Sequence, residues 1–428
     1  MKILVIGSGG REHAILWALQ RTSSEPRDLY CAPGNSGIEQ IARCVAIPAT
    51  DIAKLADFVS SENIDLTFVG PEAPLASGIV DEFERKGLRI VGPSRTAAQL
   101  EASKSFAKDF MKRHGIPTAH YRIAKSPAEA LEILASGEFG DPAKPVVVKA
   151  DGLAAGKGVV VAEDRKAAEE AVRELTAGEL IDPQAAKRIV IEEVLRGTEA
   201  SLLLFSDGQD YAVMPAARDH KRIGDGDTGP NTGGMGAITD GSILSPPLLS
   251  EITAKIVEPT LAGARKESFP FQGVLFIGLM LTQTGPQVLE YNVRFGDPET
   301  QAILVRLKTD LSTILEAITD KRLGEIKVEW SDESSACIVL ASAGYPGKYR
   351  TGLEIRGLVP SGPGVVEFHA GTARGDSGQW LTSGGRVLGV TGVGENLEEA
   401  LNRSYRRIES ISWEGMQYRR DIGKFKAE

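Results

Sequence analysis

Short apolar runs broken by glycine or polar residues open the chain: Ile3–Ile6, Leu29–Ala32, Leu66–Val69 and Arg89–Val91. Runs of this length read as strands buried on both faces. Between them Asp51 stands before Ile52, Leu55, Ala56 and Val59, an i, i+3, i+4, i+7 apolar stripe behind a capping residue. Strand and helix patterns that alternate in this way predict a parallel sheet covered by helices, over residues 1–101. Near Glu101 the pattern changes. Ser103–His114 reads as an amphipathic helix stopped by Gly115 and Pro117. A smaller unit follows over Tyr121–Val194, with β-branched runs Val146–Val148 and Val159–Val161 around a glycine loop and a helix over Arg165–Thr176. A mixed α+β stretch, glycine-rich between Ile223 and Gly236, ends in a helix after Pro298. Beyond about Ile326 the pattern turns strand-rich, with a Gly384-Gly385 turn and a last helix over Leu397–Glu409. The predicted architecture is therefore α/β and α+β multidomain. Its units are 1–101, 102–326 with a subdomain over about 121–191, and a β-rich 327–428.

Composition agrees with several globular domains. The chain has 428 residues, 42% hydrophobic and 25% charged. Acidic residues outnumber basic ones by 58 to 49, so a general nucleic-acid surface is disfavoured, and local groups must meet any anionic substrate. Glycine, at 47 residues, exceeds the usual share of about 7% and belongs in turns and ligand loops. Cys31, Cys44 and Cys337 are scattered and odd in number, fitting a reducing cytoplasm and no disulfide framework or zinc site. The start MKILVIGSGGREH breaks too soon for a signal peptide, and Val274–Leu281 is far below a membrane span of about 18 residues.

Five stretches can carry chemistry. Gly7-Ser-Gly-Gly10-Arg11 falls between a strand and a helix, where backbone amides suit a phosphate. It lacks the ribose-binding acid of a dinucleotide fold, because the second strand runs into Pro33-Gly34-Asn35. Lys149 sits in an apolar strand, and Gly156-Lys157-Gly158 lies in a loop joining two strands. A glycine hairpin of this kind can close over a triphosphate. Glu192, Glu193 and Glu199 could accept hydrogen bonds from an adenine amine and ribose hydroxyls, or form a solvated acidic connector. Asp219–Gly236 holds eighteen residues of charge and glycine without apolar periodicity, which predicts a segment that a ligand organises. Finally Glu290, Asn292 and Arg294 alternate with Leu289, Tyr291 and Val293. That spacing sets the three polar side chains on one face: two oxygen donors for Mg²⁺ and a guanidinium for an anion. His13 and His220 lie in possible site loops, whereas His114, His120 and His369 read as structural.

A strand–glycine loop–strand lid, a Glu-Glu hinge and a Glu-x-Asn strand together resemble the ATP-grasp fold. The blocks GSGGREHA (7–14), VGPEAPL (69–75), KADGLAAGKGV (149–159), DHKRIGDGDTGPNTGGMGA (219–237), RFGDPETQ (294–301), GYPGKY (344–349) and FHAGT (368–372) narrow the resemblance to the glycinamide ribonucleotide synthetases, the phosphoribosylamine–glycine ligases. The resemblance implies an N-terminal pre-ATP-grasp domain that binds substrate, an ATP-grasp domain with a mobile lid, and a C-terminal β-rich domain. It implies ATP-dependent joining of glycine to 5-phosphoribosylamine in purine synthesis through an acyl phosphate. ATP and Mg²⁺ or Mn²⁺ would be the cofactors. Matched motif by motif, it assigns Lys104, Lys149, Gly156, Lys157 and Gly158 to ATP phosphates, Glu192, Glu193, Val194 and Leu195 to the adenine edge, and Glu199 to the ribose. Arg222 and Asn231 would line the triphosphate, Glu290 and Asn292 hold the metal, and Arg294 and Asp219 orient glycine. Gly9, Gly10 and Arg11 would bind phosphoribosylamine. It further implies a cytoplasmic, monofunctional monomer that meets neighbouring purine-pathway enzymes only transiently, with no nucleic-acid or membrane partner. The alternatives are another ATP-grasp carboxylate–amine ligase and a non-catalytic ATP-binding regulatory module. The latter would be expected to lose Glu290, Asn292 or Arg294.

Overall fold

Ile3, Leu4, Val5 and Ile6 are fully buried, and alternate residues of this strand feed two different cores. Leu4 and Ile6 pack with Leu55 and Val59, while Ile3 and Val5 pack with Ile15, Leu16 and Leu19. The strand is β1 (Lys2–Gly7). It is the centre of a parallel sheet with β2 (Asp28–Pro33), β3 (Arg43–Cys44), β4 (Leu66–Val69) and β5 (Ile90–Val91), in the order β3-β2-β1-β4-β5. Because the winding reverses at β1, a crevice opens beyond its carboxyl end, the place where open α/β sheets bind ligands. Gly7 and the start of the helix Gly10–Thr22 lie there. The expected helix behind Asp51 is Ile52–Glu62, and the Asp51 carboxylate accepts from the Lys54 amide. The computed structural model describes residues 1–153, 158–177 and 188–425.

The helix Lys104–Arg113 follows, capped by the Ser103 hydroxyl. Next comes an antiparallel sheet of β6 (Tyr121–Ala124), β7 (Val146–Ala150), β8 (Val159–Ala162) and β9 (Ile189–Glu193), in the order β6-β9-β7-β8. Helices Pro127–Ala135 and Arg165–Thr176 cover it and give this small unit a core of its own, centred on Val146, Val148, Ile191, Leu134 and Val172.

The rest of the chain is built on one large sheet. It takes β10 (Thr198–Asp207), β11 (Tyr211–Val213) and β12 (Ala217–Asp219), then, after a hairpin of β13 (Arg222–Gly224) and β14 (Thr228–Asn231), β15 (Gly236–Thr239), β16 (Gln272–Thr282) and β17 (Gly285–Asn292). Past residue 327 the same sheet gains β18 (Ser334–Ala341), β20 (Val365–His369) and β23 (Arg386–Gly394). The order is β17-β16-β10-β12-β15-β18-β23-β20, with β11 beside β10. The pairing Ala237↔Cys337 joins the two regions, so the β-rich end is continuous with the middle of the chain. A separate three-stranded sheet holds β19 (Glu354–Ile355), β21 (Thr372–Arg374) and β22 (Trp380–Thr382). The last helix is Leu397–Ile408, capped by Asn396.

Two expectations are corrected. The β16–β17 register passes from Gly278↔Glu290 to Leu279↔Val288, which leaves Leu289 as the extra residue of a bulge. Val288, rather than Leu289, therefore joins Tyr291 and Val293 in the core. The strand also ends at Asn292: the Val293 amide donates to Glu101 Oε2 at 2.7 Å instead of to the ladder. The segment Asp219–Gly236, expected to await a ligand, is ordered by the protein. Its hairpin is gripped by the fully buried Arg419, which pairs with Asp227 at 2.6 Å and Asp421 at 2.7 Å and donates to the Arg222 carbonyl. The Arg420 amide donates to Asp225, and the Gly226 amide to Asp421.

Removing one member of a buried charge cluster costs several kcal/mol, and less where a partner is half exposed, as Asp227 is. Arg419→Ala is expected to lose about 2 kcal/mol in urea unfolding and to speed amide exchange over 222–231. Unchanged exchange there would show that the hairpin orders itself.

Candidate active site

The loop after β1 is fastened from below by Glu12. Its Oε2 accepts from the Gly9 amide and its Oε1 from Arg11 Nε, both at 2.6 Å. Gly7 sits at φ +132°, and a Cβ there would lie 2.4 Å from Glu12 Cγ, so the buried carboxylate fits only under glycine. Gly10 starts the helix against Gln301, where a Cβ would fall 2.7 Å from Nε2. Arg11 turns inward, donating to the Phe295 carbonyl at 3.1 Å. Asn35 stands where a dinucleotide fold would place its ribose acid. It clasps the loop instead, donating to the Ser8 and His369 carbonyls.

Arg294 lies beyond the strand that was expected to carry it, yet it returns to the same face and donates to Asn292 Oδ1 at 3.2 Å. Two carboxylates from the N-terminal region hold it, Glu101 at 2.8 Å and Glu72 at 3.4 Å. Three residues on, Asp297 pairs with Arg386 at 2.8 Å and accepts from Gln301 at 2.7 Å. Arg386 also donates to the carbonyls of Gly233 and Asp297, drawing the β-rich end to the cleft.

Burial by itself would raise the Glu290 carboxyl, but Lys221, Lys149, Lys104 and Arg294 around it hold it below the ordinary range. Glu290 is thus an ionised carboxylate within reach of cations from four parts of the chain. Lys104 donates to the Gly152 carbonyl at 2.9 Å, and Asp151 accepts from Ser103 and from the Ser105 amide. These contacts tie the glycine hairpin to the helix Lys104–Arg113. Gly156 and Lys157 lie outside the described residues; the Gly158 carbonyl accepts from the Ala150 amide at 2.8 Å. Glu192 is buried against Lys149 and Lys108, each at 2.9 Å, whereas Glu193 is exposed and accepts from the His120 amide. Glu199 meets Lys221 at 3.0 Å on the surface. Arg222 faces Asn231 across the β13–β14 hairpin and donates to the Gly229 carbonyl.

Glu299 is buried beside the half-buried Asp219. Desolvation, with the charge of Asp219 next in weight, pushes the Glu299 carboxyl from 4.5 up to about 7. Lys221 is raised in turn, chiefly by Asp219. The histidines that seemed placed for chemistry are packing residues. His13 Nδ1 accepts from the His369 amide, and burial pushes His13 down to about 3. His220 stacks on Phe425, accepts from the Gly423 amide and is pushed down to about 4. Among the described residues no group of three or more His, Cys, Asp or Glu could hold a metal ion. A cation at Glu290 and Asn292 would therefore take two hard oxygen donors and complete its shell from phosphate and water, as Mg²⁺ does beside nucleotides. The donor chemistry fits.

Residues 1–101 match the N domain, 102–300 the ATP-grasp (A) domain and 335–425 the C domain of one family, phosphoribosylglycinamide synthetase. The chain belongs to the phosphoribosylglycinamide synthetase family. It is 46% identical over 426 residues to the phosphoribosylamine–glycine ligase of Clostridium acetobutylicum, with full coverage of both chains. It is 47% identical to a trifunctional purine biosynthetic protein of Gallus gallus, covering 99% of this chain and 42% of that one. The crystal structure of phosphoribosylamine–glycine ligase from Thermotoga maritima superposes with a TM-score of 0.85 at 34% identity, over 98% of this chain and 100% of that one. The biotin carboxylase of Campylobacter jejuni, at 13% identity and a TM-score of 0.73 over 97% and 92%, shares the fold. The ATP-grasp family uses ATP with a divalent metal in general. Within the phosphoribosylglycinamide synthetase framework, sequence reading missed Glu12, Glu72, Glu101, Asp297, Arg386 and Lys108. Glu12, three residues after the cap position Gly9, carried the signal of a capping box, and Glu72 and Asp297 lay inside the family blocks without a role being read for them.

A carboxyl that keeps its proton in the folded state but ionises when unfolded favours unfolding as pH rises from 4.5 to about 7. Stability should fall through that window. In Glu299→Gln this component should vanish, so the pH slope of the thermal midpoint between those values should flatten. An unchanged slope would show that Glu299 is ionised in the folded chain.

Proposed function

We propose that the chain ligates glycine to 5-phosphoribosylamine at the expense of ATP, giving glycinamide ribonucleotide, ADP and phosphate. The observation that carries this reading is the meeting at one cleft of Lys104, Lys149, Glu290, Asn292 and Arg294, in a chain whose whole length follows that family. A glycine carboxylate oxygen takes the γ-phosphoryl group of ATP as the bond to the β-phosphate oxygen breaks, forming glycyl phosphate. The ribosylamine nitrogen attacks the acyl carbon, the carbon–oxygen bond to phosphate breaks, and the nitrogen sheds a proton. Activation is needed because a bare carboxylate has no adequate leaving group.

Lys104, Lys149 and the Gly156-Lys157-Gly158 loop neutralise the ATP phosphates, with Arg222 and Asn231 lining the triphosphate. Closure of the small four-stranded unit excludes water from the acyl phosphate. The hinge Glu192–Leu195 holds the adenine: its edge meets Glu193, Val194 and Leu195, while the Glu192 carboxylate faces the lysines. Glu199 takes the ribose hydroxyls. Glu290 and Asn292 hold Mg²⁺ or Mn²⁺, which when bound neutralises phosphate charge during transfer. Arg294, kept in place by Glu101 and Glu72, pairs with the glycine carboxylate, and Asp219 meets its ammonium. The Gly9-Gly10-Arg11 turn binds the phosphoribosylamine phosphate at the helix start through the Gly10 amide and the Arg11 guanidinium, while Glu12 holds the Gly9 amide and so fixes the turn. The chain works in the cytoplasm as a monomer, with only transient contacts to neighbouring pathway enzymes. Among the described residues no helix is long and apolar enough to cross a membrane.

ADP release with freshly generated phosphoribosylamine should be strictly glycine-dependent and matched by glycinamide ribonucleotide. ATP binding without glycine-dependent turnover would redirect the reading to another acid or to a regulatory module. Glu290→Gln should keep the wild-type thermal midpoint within a few degrees and lower kcat by roughly 10²-fold or more, the scale of losing a key electrostatic group. Wild-type turnover in that variant would remove the metal role.

A further inference from the structure

Three buried side chains between the small sheet and the helix Lys104–Arg113 form a cluster with an unequal charge count. Lys108, Glu192 and Lys149 are 2%, 2% and 8% exposed. Lys108 Nζ lies 2.9 Å from Glu192 Oε2, and Lys149 Nζ lies 2.9 Å from Oε1 and 3.0 Å from Oε2. One carboxylate therefore serves two ammonium groups. Each ammonium also meets one neutral oxygen: Lys108 donates to Thr118 Oγ1 at 2.7 Å, and Lys149 approaches the bulged Leu289 carbonyl at 3.4 Å. Thr118 passes its own hydrogen to the Val288 carbonyl, which joins this cluster to the strand that carries Glu290.

We propose that Glu192 is a positioning residue that divides one negative charge between Lys108 and Lys149, so that the trio holds a net charge of +1 in a dry site with Lys149, the least buried of the three, as its pole toward the ATP phosphates. This rests on the reading above that Lys149 contacts those phosphates. Lys108 touches no substrate; its task is to take up half of Glu192. Without it Glu192 would neutralise Lys149 completely, and without Glu192 two desolvated ammonium groups would stand together. Buried charges of one sign at contact distance are not both kept, so one would lose its proton.

The groups facing the cluster fit this charge count. From the helix comes Lys104; from β9, Glu192 and Glu193; from β7, Lys149, with Asp151 beyond it; from β6, the Tyr121 ring, 5.7 Å from Lys108 Nζ; and from β17, the Leu289 carbonyl and Glu290. Burial pushes the Lys108 ammonium down to about 8, against the raising pull of Glu192 and with the lowering push of Lys149. The balance is already close in the wild-type chain.

The test is calorimetric titration of the full-length protein with Mg-ATP across about pH 7 to 9, using Glu192→Gln, Lys108→Met, Lys149→Met and the double variant K108M/E192Q. Lys149→Met should weaken ATP binding at every pH. In Glu192→Gln the Lys108 ammonium, already pushed down to about 8 in the wild-type chain, gives up its proton at lower pH and leaves +1 on Lys149. Its binding should therefore approach that of the double variant across the window, while wild-type binding weakens toward that of Lys108→Met as pH rises through about 8. Lys108→Met leaves the cluster neutral, and its binding should be weaker throughout and nearly flat with pH. The double variant restores a net +1 and should return to within about threefold of wild type at about pH 7, where Lys108 is charged, a coupling that two independent packing defects would not give. A double variant no tighter than the worse single variant at any pH overturns the charge-sharing role while leaving Lys149 in the phosphate site. Wild-type affinity in Lys149→Met overturns the placement of Lys149 itself, and the proposal with it. Should Glu192→Gln fail to fold, Lys108→Arg against Lys108→Met decides: restored affinity in the arginine variant alone supports the proposal, and equal loss in both overturns it.

Discussion

A guanidinium or ammonium group that leaves water has to find a carboxylate, and in this cleft the partners come from distant parts of the chain. Arg294 reaches Glu101 and Glu72 in the N-terminal region, Arg386 reaches Asp297, and Lys108 and Lys149 share Glu192. Most of these pairs span two of the sheets or their connections. Each is also shielded enough that breaking it would strand a charge at considerable cost. The sheets could be packed in other relative positions on hydrophobic grounds alone, because apolar contact is not directional. Ion pairs with fixed hydrogen-bond geometry specify which arrangement survives, and in doing so bring the Glu290 strand toward Lys149 of the small sheet and Lys104 of the helix Lys104–Arg113.

The same constraint explains why so few of the charged groups at the site are free. Arg11 is committed to Glu12 and a carbonyl, Arg294 to two carboxylates, and Lys104 to the hairpin backbone. Groups held in this way lose little further freedom when a substrate arrives, which is the basis of preorganised electrostatic stabilisation. The small unit is the exception in kind. It has its own core and a separate sheet, and it meets the cleft chiefly through Lys149, Glu192 and the contacts of Asp151 and Gly152. Closure around that limited set of polar contacts requires no repacking of the large cores.

Periodicity made much of this legible. The buried run Ile3–Ile6, the stripe behind Asp51, the two valine strands and the alternation through Glu290, Asn292 and Arg294 each follow from which face of an element must be dry. Where one residue breaks the period, inference fails locally. The bulge at Leu289 exchanged Val288 into the core, and the strand stopped short of Arg294. Partnership was the larger gap. In SKSFAKDFMKR nothing distinguishes Lys108 from the other lysines on a polar-rich helix, yet it is almost wholly buried. Arg419 likewise sits in a polar tail of the sequence and at the centre of a charge cluster in the fold. Spacing reports the face a residue occupies, while its counter-charge, often more than a hundred positions away, is fixed only by tertiary structure.

The grip of Arg419 on the β13–β14 hairpin has a consequence for the order of synthesis. The strands that flank the hairpin pair with neighbours made both earlier and much later, since β15 lies between β12 and β18. On a ribosome, where domains fold as they emerge, the parallel sheet and the small valine unit can be complete while this wall of the cleft is still open. It closes only when residues 419–423 leave the exit tunnel and reach Asp227 and His220. A messenger or a protease that cuts the polypeptide short of that point leaves a body with most of its core and a β13–β14 hairpin without its anchor.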